Sequence, residues 1–228
     1  MNLFSQEFIK HPIDTTIFNV RGSRVADLDN DGDFDIVAIR KGRISVVGPG
    51  ISAWLNDGSG NFTVSFNIHE SKADVMSFHA DDIELLDVNN DGFLDIIASV
   101  QFDRISGNFE FETHDLAWWP NNQGQGFGSP IIIEQNVGLK SQSIQILDVN
   151  NDGFDDIVSQ DFRFSTGIED AIYYWSNNGL ESFSSSQLLL TGEYRYFQKA
   201  DINNDGFQDL LLVEFLRDIK LGIREMKA

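Results

Sequence analysis

The stretch Val25–Val37, VADLDNDGDFDIV, returns three more times along the chain: LLDVNNDGFLDII at Leu85–Ile97, ILDVNNDGFDDIV at Ile146–Val158 and KADINNDGFQDLL at Lys199–Leu211. The four copies align without gaps as D-x-[DN]-x-D-G-x-x-D. Their first aspartates, Asp27, Asp87, Asp148 and Asp201, are separated by 60, 61 and 53 residues. A repeat of this period marks a unit that buries its apolar faces by stacking on its neighbours. Two further markers keep the same order. Trp54, Trp119 and Trp175 follow the first three aspartates by 27, 32 and 27 residues, each with an asparagine two positions later (Asn56, Asn121, Asn177). An aromatic stands eight positions beyond each of these tryptophans: Phe62, Phe127 and Phe183.

Within a unit the pattern reads as four short strands. One leads into the acidic loop (Ser143 to Leu147), one leaves it (Asp95 to Val100), one carries the Trp (Ile172 to Trp175) and one follows the Phe (Ile131 to Glu134). β-Branched and aromatic runs punctuated by Asn, Asp and Gly are hairpin signals, and four strands per unit is what a propeller blade requires. The expected fold is all-β: one β-propeller domain over residues 1–228, with four-stranded antiparallel blades near 15–69, 70–134, 135–190 and 191–228 plus 1–14. Asn2 to Ile9 reads as a fourth strand with Phe4 in the slot of Phe62, whereas the last repeat offers only Leu210–Leu216 and Lys220–Arg224 after its loop. The expectation is therefore that the N-terminal strand closes the last blade and removes a sheet edge. A four-blade monomer, a homodimer forming an eight-blade ring or a fragment of a longer propeller satisfies the same count.

Carboxylates on alternate residues of a tight loop converge on one point, and calcium takes six to eight oxygens in flexible geometry. Loop 1 offers the Asp27, Asp29, Asp31 and Asp35 side chains and the Asp33 carbonyl. Loop 2 offers Asp87, Asn89, Asp91, Asp95 and the Phe93 carbonyl; loop 3 offers Asp148, Asn150, Asp152, Asp156 and the Phe154 carbonyl. Loop 4 offers Asp201, Asn203, Asp205, Asp209 and the Phe207 carbonyl, so up to four Ca2+ are expected. The glycines of the motif (Gly32, Gly92, Gly153, Gly206) permit a sharp turn around the ion. An EF-hand is excluded, because its twelfth position needs a bidentate Glu and here holds Ala38, Ala98, Ser159 and Leu212 between β-rich flanks.

These motifs resemble FG-GAP/VCBS repeats, the calcium-binding blades also found in the integrin α-chain propeller. The Trp-x-Asn with a following Gly and Phe, as in Ala117-Trp118-Trp119-Pro120-Asn121-Asn122 and Gly126-Phe127-Gly128, is similar to a bacterial branch of that family. The resemblance implies a propeller whose acidic loop joins the first and second strands of each blade. Family propellers commonly have about seven blades, so four is a departure. Adhesion and receptor modules, lectins and accessory domains of secreted enzymes belong to the family.

The net charge of −20, with 16 basic against 36 acidic residues, repels phosphate backbones and argues against nucleic acid as a partner. With no cysteine, disulfides and thiolate chemistry are excluded. No apolar run has the length of a membrane span, and the first residues do not read as a signal peptide. Loops of this kind in extracellular modules bind calcium with Kd on the order of 10⁻⁴–10⁻³ M, which suits an extracellular or cell-surface setting.

The functional expectation is a non-enzymatic, calcium-stabilised module for a glycan or protein ligand. An arginine follows each second strand, so Arg40 and Arg43, Phe102 and Arg104, Phe162 and Arg163, and Arg217 are candidates for a mouth that meets an acidic ligand; their bland alternative is pairing with nearby carboxylates. Trp118 has no counterpart in the other units and is expected on the solvent side of its strand. Phe109, Phe111 and His114 lie in the longest inter-strand loop. The alternative function is a lyase- or hydrolase-like enzyme, or its accessory part, acting on acidic polysaccharide, with His79, Asp81 and Asp82 as its acid/base candidates.

Overall fold

The computed structural model describes residues 9–17, 20–40, 50–70, 80–100, 114–135, 137, 143–161, 171–192, 194–214 and 220–224. Among these, each run that alternates β-branched and aromatic residues is a strand, and no helix occurs. Blade 1 consists of β1 (Val20–Ala26), β2 (Asp35–Arg40), β3 (Gly50–Asn56) and β4 (Phe62–Glu70). Blade 2 consists of β5 (Ala80–Leu86), β6 (Asp95–Val100), β7 (Asp115–Trp119) and β8 (Ile131–Glu134). Blade 3 holds β9 (Ile144–Leu147), β10 (Asp156–Asp161), β11 (Ala171–Trp175) and β12 (Gln187–Thr191). Blade 4 holds β13 (Tyr194–Ala200), β14 (Asp209–Glu214) and β15 (Lys220–Arg224). Each blade is an antiparallel meander in sequence order, four-stranded in the first three and three-stranded in the last among the described residues. The acidic loop always joins the first strand to the second.

Register explains why the Trp marker travels with the loop. Trp54, Trp119 and Trp175 stand opposite Ile36, Ile96 and Ile157, the residue directly after the last loop aspartate. In blade 4 that place, opposite Leu210, belongs to Arg224.

The core lies between blades, because a central strand flanked by two blades must be apolar on both faces. All six residues of β6 are buried. Val37 and Ile39 of blade 1 pack against Ile96, Ala98, Val100 and Trp119 of blade 2. The opposite parity of blade 2, Ile97, Leu116 and Trp118, packs against Ile144, Ile146, Ile157 and Trp175 of blade 3. Val158 and Ile172 then meet Phe197, Leu210 and Leu212 of blade 4. Trp118 is thus a correction to the sequence reading. It lies on the opposite face from Trp119, as expected, but that face meets blade 3 and the side chain is 1% exposed.

The proposed closing strand lies almost wholly in residues 1–8, outside the described residues. The N-terminal segment does reach blade 1: Trp54 Nε1 donates to Asp14 Oδ2 at 3.3 Å. The same bond joins Trp175 Nε1 to Glu134 Oε2 at 2.5 Å, where Glu134 ends the outer strand of the preceding blade.

Candidate metal centre

Each loop is wound by its own first aspartate. Asp27 accepts from the N–H groups of Asp31 (3.1 Å) and Gly32 (2.9 Å), and Asp87 from Asp91 (3.0 Å) and Gly92 (2.8 Å). Asp148 holds Asp152 and Gly153, and Asp201 holds Asp205 and Gly206, in the same way. Such a turn needs two left-handed residues. They are Asn30, Asn90, Asn151 and Asn204 (φ 60, 59, 58 and 58°) and the motif glycines (φ 98, 89, 91 and 92°). Asn and Gly are the residues that tolerate this conformation, which accounts for the recurring N-D-G.

The last aspartate ties the loop to the blade. Asp35, Asp95, Asp156 and Asp209 are each 0% exposed. One oxygen accepts from the N–H following the first aspartate: Leu28 (2.8 Å), Val88 (2.9 Å), Val149 (3.1 Å) and Ile202 (3.0 Å). The other accepts from the third strand or the turn after it, through the N–H of Asn56 (2.8 Å), Asn121 (2.7 Å) and Asn177 (2.8 Å). The asparagine of the Trp-x-Asn marker is therefore part of the loop's support. Sequence reading quoted it without assigning that role; its coupled recurrence with the loop was the available signal. In blade 4 the matching oxygen, Asp209 Oδ1, is buried with no hydrogen-bond partner among the described residues.

Blade 2 also clasps loop 1. The Asn121 side-chain amide donates to the carbonyls of Leu28 (2.8 Å) and Leu94 (3.1 Å), and Asn30 Nδ2 donates to the Gly92 carbonyl (3.0 Å). Gly124 lies so close to Asp29 that a Cβ there would stand 2.6 Å from the Asp29 Cβ. Asn121→Ala is expected to cost ~1–3 kcal/mol by leaving the buried carbonyl of Leu28 unpaired. Asn122→Ala, on the exposed neighbour, is expected to leave the denaturant midpoint within error.

Loop 1 fits a cation. Ligand oxygens of Asp27, Asp29 and Asp35 lie within 4.8 Å of one another. Asp29 Oδ1 is buried with no hydrogen-bond partner. Burial and the neighbouring carboxylates of Asp31, Asp35 and Asp27 push the Asp29 carboxyl above the ordinary carboxylate range, although the Asp31 N–H opposes them. An oxygen that hard to charge calls for a positive partner. In the other loops an asparagine replaces Asp29. Its amide donates to the fifth-position aspartate, Asn89 to Asp91 (3.2 Å), Asn150 to Asp152 (2.9 Å) and Asn203 to Asp205 (2.9 Å). Those aspartates also accept from the N–H of Phe93, Phe154 and Phe207, as Asp31 does from Asp33.

Burial drives Asp95 up to about 7, against the lowering hydrogen bonds from Asn121 and Val88 and with a contribution from Asp91 and Asp87; burial raises Asp156 as well. A raised carboxyl takes up a proton on folding, so its contribution to stability is present at low pH and lost as pH rises through the folded-state value. The metal-free protein is therefore expected to melt several degrees higher at pH 5.5 than at pH 8, and Asp95→Asn to flatten that slope.

The candidate mouth residues divide. Arg40 is 2% exposed and donates to Asn67 Oδ1, inside blade 1. Arg43, Phe102, Arg104, Phe162, Arg163 and Arg217 lie outside the described residues, as do Phe109, Phe111 and His79. His114 is 1% exposed beside Ser99 (3.4 Å), a core position. Asp82 stands on the inner strand of blade 2, where its carboxylate receives Arg24 of blade 1 (3.0 Å) and the Ile144 N–H of blade 3 (2.9 Å).

Comparison with known proteins agrees with this geometry. A family model for the FG-GAP-like repeat matches residues 27–98 and 87–159. No curated protein matches the chain. A solved structure of an Agrocybe aegerita lectin, described as recognising non-reducing terminal N-acetylglucosamine, superposes with a TM-score of 0.54 at 18% identity. The match covers 84% of this chain and 46% of the lectin chain, so this chain spans less than half of that protein's length. At that identity the likeness speaks of fold alone. With matched repeats over more than half of its length and an acidic loop at each blade's first turn, the chain belongs to the FG-GAP-like repeat family.

Proposed function

We propose that this chain is a calcium-stabilised, non-enzymatic recognition module whose ligands are glycans or proteins met outside the cell. The observation that carries the metal reading is Asp29 Oδ1, buried among converging carboxylates with no partner. Asp27, Asp29, Asp31 and Asp35 with the Asp33 carbonyl would hold the ion in loop 1. The equivalent aspartates, asparagines and phenylalanine carbonyls would do so in loops 2 to 4. Bound calcium supplies the positive charge that offsets these carboxylates.

The chain's own part is to keep the loops wound and to bolt them to the blade faces, giving a rigid scaffold for surface loops. Family membership and the propeller-like blades support recognition over catalysis. No helix among the described residues is long and apolar enough to cross a membrane.

The test is a native mass measurement in millimolar calcium, followed by glycan and peptide arrays with and without chelator. The expected result is four ions per chain and ligand binding that chelation weakens. A re-purified sample that depolymerises a uronic-acid polymer would instead establish an enzyme.

A further inference from the structure

A cavity of about 450 Å³ is lined by residues from the first strands of blades 1, 2, 3 and 4 and from β14. One wall is apolar. Leu211 and Val213 lie on the face of β14 opposite Leu210 and Leu212, which pack on blade 3. The residues that occupy the place of Leu211 in the other blades, Val37, Ile97 and Val158, are each 0% exposed beneath the following blade. Leu211 and Val213 are only half-buried and line the cavity instead. Arg24, Asp82 and Gln145 add polar groups to the lining, and Gln198, the cross-strand partner of Leu211, stands on the same face of blade 4 as Leu211.

The polar groups suit hydroxyls better than an anion. Four of the five Arg24 N–H donors are engaged: Nε and Nη2 donate to Glu84, Nη2 also to Asp82, and Nη1 to the Ser23 carbonyl, so two carboxylates already balance its charge. Asp82 Oδ1 accepts from Arg24 and the Ile83 N–H, while among the described residues Oδ2 accepts only from the Ile144 N–H. A carboxylate has about four acceptor sites, so Asp82 keeps one for a ligand hydroxyl, in a charge-assisted bond. The exposed Gln198 adds an amide that both donates and accepts. An incoming carboxylate would meet Asp82, Glu84 and the field of a chain with net charge −20.

We propose that this cavity binds one neutral pyranose residue, its C–H face on Leu211 and Val213 and its hydroxyl edge toward Asp82, Gln145 and Gln198. The volume lies within the range of small-ligand sites, ~300–1,000 Å³, and an apolar patch flanked by hydrogen-bonding groups is the complement of a sugar ring. The site deepens the recognition reading above and rests on it, but it turns the expected acidic ligand into a neutral one.

Saturation-transfer NMR and calorimetry with methyl glycosides of a neutral hexose, an N-acetylhexosamine and a uronate test the proposal on the calcium-loaded protein. At least one neutral probe is expected to bind and the uronate at least tenfold more weakly. Leu211→Trp, which fills the cavity, is expected to weaken neutral binding at least tenfold, and Gln198→Ala, on an exposed side chain, about threefold. Circular dichroism and calcium stoichiometry should match the parent for both variants. Equal binding by the parent and Leu211→Trp, or a preference for the uronate, overturns the cavity assignment and leaves the recognition reading intact. If no saccharide binds while a peptide ligand does, the sugar site is refuted and a protein-binding module stands. If neither class binds, both fall.

Discussion

Chelation is expected to lower the melting temperature of the calcium-loaded protein by ~10–20 °C, the largest effect of any single treatment. An ion held only by the folded state at a hundredfold excess over its Kd stabilises by ~2.7 kcal/mol per site. At about 2–4 °C per kcal/mol for a chain of this size, two sites suffice for that fall, and four would exceed it. The structural cause is local. Asp35, Asp95, Asp156 and Asp209 are fully buried at the base of loops that carry two to four further carboxyl groups each. Without a cation, burial first and the neighbouring carboxylates second oppose ionisation, and both push Asp29, Asp95 and Asp156 above the ordinary carboxylate range. The check is a pair of thermal melts, in ~0.1 M calcium, a hundredfold excess over a Kd of ~10⁻³ M, and in excess EDTA, with magnesium as a third arm. Coincident calcium and EDTA curves would refute the metal reading. Asp29→Asn makes loop 1 like the other three and is expected to lose only its share of the shift.

Trp118→Ala is expected to destabilise the protein by ~3–5 kcal/mol, as truncation of a large buried aromatic does. The indole sits in the blade 2–blade 3 core with Leu116, Ile144, Ile146 and Trp175, and only 1% of it is exposed. The vacated volume lies between two rigid sheets, which have little freedom to collapse into it. Phe34→Ala provides the contrast, since Phe34 is 68% exposed and its removal is expected to change stability by less than ~0.5 kcal/mol. Urea unfolding of both variants in calcium is the measurement. Unchanged stability of the Trp118 variant together with loss of ligand binding would return Trp118 to the surface role that the sequence suggested.

The loops were legible because their chemistry is local. Alternate carboxylates, Asn-Asp-Gly turns and β-rich flanks all fall within thirteen residues, so spacing alone locates Asp27, Asp29 and Asp35 together. The role of Asn121 was not legible. Its backbone N–H reaches Asp95 26 positions earlier and its side chain reaches Leu28 93 positions earlier. No periodicity within one repeat encodes a bond between two blades. Arg40 shows the same limit: in sequence it reads as a mouth residue or as the partner of a nearby carboxylate, and the packing of β4 on β3 gives it Asn67 instead.

By itself the sequence determined the repeat, the strand order within a unit and the acidic loop at its first turn, since these follow from hydrogen bonding and alternation over a few neighbouring residues. Only the tertiary structure decided which face of each strand meets which blade. It buried Trp118, tied off Arg24 and left Leu211 half bare, because burial depends on what another blade brings to that face rather than on the residue's own neighbours in the chain.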